Sequence, residues 1–247
     1  MIEIKLMKET NLKDTTLIEG FPGIGLVGPM AVSYIIDKLD MEYIGYIESD
    51  EFPPIVSIHN SQPLPPVRIY YSNKKKIAAV FAEFSIPISL AMPLADKIYE
   101  IFKSNGMKEI VSIGGMPSKG VPDDSVVYVI ASTKDGMKNA ENDGLKPIIE
   151  GVSTGVSARL LFLSSLDGTP DTNILIPVDP SIIDPKYAEI AINSVNKILK
   201  LNIDVTELEK EAKEVDAKIR DLLKKSKETQ DAHRNALGGT GTQSMYA

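Results

Sequence analysis

Along the first two hundred residues, short runs with β periodicity alternate with longer runs of helical periodicity. Ile2-Glu3-Ile4-Lys5-Leu6 alternates apolar and polar positions, and Thr15-Thr16-Leu17-Ile18-Glu19 does so less strictly. A period of two divides side chains between the two faces of a strand, so both runs read as strands. Residues 26–39 carry apolar groups at helical spacing, with Asp40 near the stop. Residues 43–47, 67–71 and 76–81 are further strands, and Ser72-Asn73-Lys74-Lys75 between the last two suits a hairpin. A helix is predicted over 89–104, ended by Asn105-Gly106, with its regular part starting at Pro93. Residues 109–113 form a buried strand running into Gly114-Gly115, and 126–130 and 173–178 complete the strands. Strands alternating with helices predict an α/β fold whose sheet is covered on both faces and includes some antiparallel pairing.

Two stretches interrupt this rhythm. Pro63, Pro65 and Pro66, following Pro53-Pro54, mark an exposed, stiffened loop within the domain. After Asn202 the composition shifts to Glu, Lys, Asp and Ala. There Val205, Leu208, Ala212, Val215, Ile219 and Leu222 fall at alternating spacings of three and four, a heptad stripe that Ser226 and Thr229 end. Such a stripe either packs on its own domain or associates with another copy. The organisation is therefore a globular domain over 1–202, a helical extension over 203–236 and a flexible tail over 237–247, whose residues 238–244 have almost nothing to bury.

Composition narrows the function. The 247 residues suffice for one large core, and 43% hydrophobic with 25% charged residues is ordinary for a soluble globular protein. The absence of cysteine excludes disulfides, thiolate metal sites and cysteine nucleophiles. His59 and His233 are the sole histidines, which excludes a histidine-rich metal centre. A net charge of −7 disfavours nucleic acid as a partner, because phosphate binding needs clustered Lys and Arg. No apolar run reaches the length of a membrane span, and the N-terminus lacks the regions of a signal peptide, so a cytoplasmic protein is expected. No cofactor or metal is expected either.

Several motifs carry candidate chemistry. Gly23-Ile24-Gly25-Leu26-Val27-Gly28 fits G-x-G-x-x-G between a strand and a helix, with Glu48 ending the next strand, the formal context of a dinucleotide-binding turn. Its alternative is close packing of the helix start on the sheet, and the flanking Phe21-Pro22 and Pro29 fit the fingerprint poorly, Pro29 by removing an amide donor. Gly114-Gly115-Met116-Pro117 is an anion-binding nest or a tight strand exit. Residues 151–157 offer glycines and hydroxyls at a helix start, suited to a ligand carboxylate or to capping. Asp123-Asp124, Glu48-Ser49-Asp50-Glu51 and Asp179 are carboxylates of the kind that more often serve turns than acid–base pairs. A Ser-His-acid triad would need His59 from the proline-rich loop, since His233 lies in the polar extension. These glycine turns leave a nucleotide- or small-ligand-binding enzyme, using Gly23, Gly25, Gly28, Gly114 and Gly115, as the alternative function.

The chain ends Met245-Tyr246-Ala247, an apolar group, a phenol and a carboxylate presented together; pockets that capture a terminal carboxylate are a known recognition mode. Residues 19–28 (EGFPGIGLVG), Asp50-Glu51-Phe52-Pro53-Pro54 and Gly114-Gly115-Met116-Pro117, taken in order, resemble the proteasome assembly chaperone family in its archaeal form. The resemblance covers residues 1 to about 200. It implies a three-layer α/β/α sandwich with a mixed sheet, similar to phosphorylase/hydrolase-like proteins but without their catalytic residues. It also implies a homo-oligomer, with a tetramer favoured, that presents C-terminal tails to core proteasome α-subunits. By that resemblance, the Ala247 carboxylate pairs with a pocket lysine, Tyr246 packs and hydrogen-bonds at the pocket mouth, and Met245 fills an apolar niche.

Overall fold

The computed structural model describes residues 1–118 and 126–208. In chain order these form β1 (Ile2–Leu6), β2 (Thr16–Gly20), a 3-10 turn (Ile24–Leu26), α1 (Val27–Lys38), β3 (Glu42–Ser49), β4 (Ser57–His59), β5 (Gln62–Leu64), β6 (Val67–Ser72), β7 (Ile77–Ala82) and α2 (Ile88–Ser104). They continue with β8 (Glu109–Pro117), β9 (Tyr128–Ala131), α3 (Lys134–Asn142), β10 (Lys146–Pro147), α4 (Gly155–Asp167), β11 (Asp171–Val178) and α5 (Pro185–Leu199). Nine of the described strands make one mixed sheet in the order β1-β3-β6-β7-β2-β8-β11-β9-β10. Its centre, β7-β2-β8-β11, is parallel, whereas β1, β3 and β6 on one side and β9 on the other pair antiparallel.

Both faces of the centre are mainly apolar, as a parallel sheet buried on two sides requires. Ile18, Val111, Ile113, Ile174 and Ile176 join α1 and α5 in one core, while Leu17, Val80, Ile110 and the inner side of α2 and α4 make the other. The result is the α/β/α sandwich with a mixed sheet that the sequence predicts. Of the heptad stripe, the described positions Val205 and Leu208 pack with Ile203 on the α1/α5 core. The remaining seam positions, and most of the proposed extension, lie outside the described residues.

Three local expectations are corrected. The helix predicted to become regular at Pro93 already starts at Ile88 and carries Pro93 inside it; Ser89 and Pro93 are both exposed, so the carbonyl left without its helical donor faces water. The proline-rich loop contains a hairpin, β4–β5, whose two-residue turn places Asn60 and Ser61 in the left-handed region at φ 50° and 62°. Gly114-Gly115 is no turn, because β8 runs straight through both glycines to Pro117. Two helices not singled out from sequence, α3 and α5, carry N-cap signals. Thr133 accepts from the Gly136 amide, and Asp184 accepts from Lys186 ahead of Pro185 in the first turn.

Candidate functional site

The glycine-rich turn is a packing device. A Cβ on Gly28 would sit 2.6 Å from the Ile113 carbonyl oxygen, and one on Gly115 would sit 2.0 Å from that of Ile24. Only glycine lets the turn lie directly on β8 at these two points. Gly25 adopts φ +69° against Val178, Gly114 makes ordinary contact with Leu175, and Gly23 faces open space. Leu26, Val27, Gly28 and Pro29 are all buried, so the start of α1 is covered rather than presented to a ligand. The motif thus meets the demand for close helix–sheet approach, and Gly115 shares that demand from a distant point in the chain.

The other sequence candidates separate into surface and interior. Glu48 pairs with Lys5 across β1 and β3, and Asp50 pairs with the N-terminal amine. Asp179 accepts from the backbone and hydroxyl of Ser181 in a turn. Residues 151–155 are exposed, and Thr154 makes no side-chain cap on α4. Ser157, one turn on, instead reaches inward to Glu19 at 2.8 Å. Glu19 is fully buried and also accepts from the Phe21 amide at 2.9 Å. Strand register sets Ser112 beside Glu19 and Asn173 beside Ser112, which carries a polar row across the α2/α4 face, with Asp171 two residues before Asn173. Burial raises both acids, Asp171 to about 8, against a hydrogen bond from Ser164 at 3.2 Å. Asp171 therefore holds a proton at neutral pH, and burial moves Glu19 in the same direction.

A second charged cluster lies on the opposite face, and sequence reasoning missed its centre. Arg68 on β6 and Glu83 just after β7 point to the α1 side of the sheet, 2.9 Å apart and almost fully buried. His59, at the end of β4, brings its Nε2 to 2.9 Å from Glu83 and 3.2 Å from Arg68. The Arg68 guanidinium also donates to the Pro65 carbonyl at 3.1 Å and lies over the Phe81 ring. Burial, the largest single influence, pushes the Glu83 carboxyl up, but the hydrogen bonds from His59 and Arg68 outweigh it and hold it at about 2. An always-ionised Glu83 cannot give up a proton near neutrality. What the cluster does is clamp the β4–β5 hairpin and its prolines to the sheet. The hairpin, α1 and β6 enclose a cleft of about 620 Å³, walled by Tyr43, Tyr70 and Phe81 and rimmed by Asp37 and Asp40. The available signal was a charged residue set between Ala82 and Phe84 at the end of an apolar strand.

Met245, Tyr246, Ala247, His233 and Asp123-Asp124 lie outside the described residues. The point from which the chain leads to that ending is described, however. Tyr34 on α1 donates to the Asp204 carbonyl at 2.8 Å, Asn196 on α5 brackets the backbone of Ile203 at 2.9 Å on both sides, and Lys38 pairs with Glu207 at 3.0 Å. The chain up to Leu208 is therefore fastened to the α1/α5 face. Among the described residues no helix is long and apolar enough to cross a membrane, and no group of three His, Asp or Glu could hold a metal.

Residues 17–223 match the model of the PAC2 family. An uncharacterized protein of Methanocaldococcus jannaschii is 30% identical over 207 residues, 83% of this chain and 84% of that protein. Among solved structures, Pyrococcus furiosus PbaA, described as an archaeal homolog of proteasome-assembly chaperone, superposes with a TM-score of 0.82 at 29% identity, covering 94% of this chain and all of its own. Pyrococcus furiosus PbaB, described as an archaeal proteasome activator, gives 0.75 at 26% identity, covering 90% and 98%.

Proposed function

The chain belongs to the PAC2 family, and from that premise we propose that it is a non-enzymatic proteasome assembly chaperone or ATP-independent proteasome activator of the cytoplasm. It acts by docking its C-terminal ending into pockets between α-subunits of the core proteasome. One conjunction carries this reading: a body similar to both PbaA and PbaB, and the terminal Met245-Tyr246-Ala247. The buried chemistry supports it from the other side. The glycine turn is spent on packing, Glu83 is locked as an anion by Arg68, and Glu19 with Asp171 is sealed under α4.

In this mechanism Ala247 supplies the carboxylate, Tyr246 the phenol and Met245 the apolar filler, with residues 238–244 as tether. The anchoring of residues 203–208 on α1 and α5 gives every copy the same point of departure. One short ending binds weakly; several on a homo-oligomer raise avidity by about 10²–10⁴ where their tethers span neighbouring pockets.

The test is a pull-down with purified archaeal core proteasome, comparing the full chain with one lacking Met245-Tyr246-Ala247 and with Tyr246→Ala. Binding is expected for the full chain, to be lost on truncation and to weaken in Tyr246→Ala without any change in melting temperature. Equal retention by full and truncated chains would place recognition on the globular body and overturn tail docking.

A further inference from the structure

The cleft beneath the β4–β5 hairpin is built like a ligand site, and tail docking leaves it unused. On this side of the sheet α1 packs over β2, β7 and β8, while β3 and β6 face the hairpin across the cleft. Strand register sets Tyr43 opposite Tyr70 and Arg68 opposite Phe81. The two tyrosine rings are half-buried and stand 5.6 Å apart, tilted at 52°, while Arg68 already covers the Phe81 ring. Three carboxylates border the cleft, Asp37, Asp40 and Glu83, against one guanidinium, so even a charged His59 leaves acid in excess. Glu83 is engaged by Arg68 and His59, whereas Asp40 is exposed and enters no ion pair among the described residues. Burial raises the Tyr70 phenol, and the nearby Asp37 charge adds to that rise against Arg68. Of the lysines in this region, Lys38 pairs with Glu207 and covers the Tyr34 ring, and Lys74 and Lys75 border a separate depression. At the inner wall Arg68 is 2% exposed, and its Nε hydrogen has no acceptor.

We propose that this cleft binds a basic amino-acid group, free or within a peptide. Its ammonium or guanidinium lies over Tyr43 and Tyr70 beside Asp40 and Asp37, and its carbonyl oxygen faces the Arg68 Nε. Three observations choose that chemistry. Tyrosine faces attract cations electrostatically, and the carboxylates at the mouth supply the balancing charge. The same excess of acid repels phosphate and carboxylate ligands, whose recognition relies on cations free to pair with them. A buried donor without an acceptor is costly, so an oxygen delivered to it is stabilising. The volume of about 620 Å³ falls within the range of small-ligand sites, about 300–1,000 Å³. The walls come from α1, the hairpin and the β3–β6–β7 side of the sheet, so this site is distinct from the glycine turn at residues 23–28.

Calorimetric titration of the full chain with L-arginine amide tests the proposal, with no proteasome present, so its outcome is independent of tail docking. Saturable binding is expected with a Kd of about 1 mM or tighter, weakening as salt is added. Nα-acetyl-citrulline amide, which has nearly the same side-chain shape and no charge, is expected not to bind. Nα-acetyl-arginine amide separates the two sources: affinity equal to that of arginine amide favours a side chain within a peptide, and a large loss favours the free amino-acid derivative. Asn tolerates the left-handed φ of 46° at Asp40, so Asp40→Asn keeps the turn while removing the charge. Asp40→Asn and Tyr43→Leu should each weaken binding by about fivefold. Asp179→Asn, which removes a carboxylate from a turn that does not line the cleft, should leave the affinity unchanged. No saturable binding of arginine amide, equal binding of the neutral citrulline compound, or an equal loss in Asp179→Asn would each overturn the proposal.

Discussion

The two faces of the sheet each bury acid groups, and they hold them in opposite protonation states. Glu83, on the α1 side, is kept ionised near pKa 2, whereas Asp171, under α4, is pushed up to about 8. Burial opposes the charged form at both positions, so it cannot account for the difference. The partner does. Glu83 touches a guanidinium that is itself out of water and an imidazole at the cleft edge. Asp171 has a serine hydroxyl, and the ionisable group that acts on it is another buried acid, Glu19, which raises it further. One face therefore stores an ion pair that pins a surface hairpin, and the other stores a neutral hydrogen-bonding acid inside a sealed layer.

The strongest way to break this contrast is to give Glu83 the surroundings of Asp171. Arg68→Met removes the cation at nearly constant volume and leaves a carboxylate buried alone. It should cost about 3–5 kcal/mol in the denaturant midpoint at neutral pH. A loss below about 1 kcal/mol would mean that the pair is not the clamp it is described as.

The pH profile sharpens the contrast. Because the folded pKa of Asp171 is raised, the folded state keeps a proton that the unfolded chain releases above pH 4. Stability therefore falls as pH rises from about 4 to 8, by about 1 kcal/mol per unit. Asp171→Asn removes that dependence and should be more stable than wild type by about 4 kcal/mol at pH 8, converging with it near pH 4. Urea titrations across this range check it, and parallel curves would refute the neutral acid. Glu19, also raised by burial, leaves a residual slope of the same sign.

Glu83 has the reverse sign: its folded pKa is lowered, so its contribution is present above pH 4.5 and lost as pH falls toward 2. His59→Asn deletes the imidazole side of the clamp while keeping Arg68. It should cost about 1 kcal/mol at neutral pH and move the acid-unfolding midpoint to higher pH. An unmoved acid midpoint would assign Glu83 to Arg68 alone.

Where side-chain periodicity was clear, the elements could be read. The alternation at Ile2–Leu6 and the helical spacing that became Val27–Lys38 survive nearly residue for residue, because each pattern already names the face that must leave water. The glycine motif was visible but ambiguous. Its role depends on Ile113 and on Ile24 meeting Gly115, contacts about ninety residues apart that no local pattern encodes. The β4–β5 hairpin was hidden by its prolines, since Pro63 sits in a two-stranded unit where few ladder donors are required. Arg68 and Glu83 were each readable as a lone charge in an apolar strand, but their pairing required the β6–β7 register and a histidine from another loop.

The sequence by itself determined the strand–helix alternation and a sheet covered on both faces, because local periodicity and composition dictate which surfaces avoid water. Tertiary structure alone decided that the glycines serve packing and that one buried acid is charged and another neutral. The reason in each case is the same: desolvation and Coulomb attraction depend on which groups come within a few ångströms. Neighbours at that range are assigned by sheet order and register, not by position along the chain.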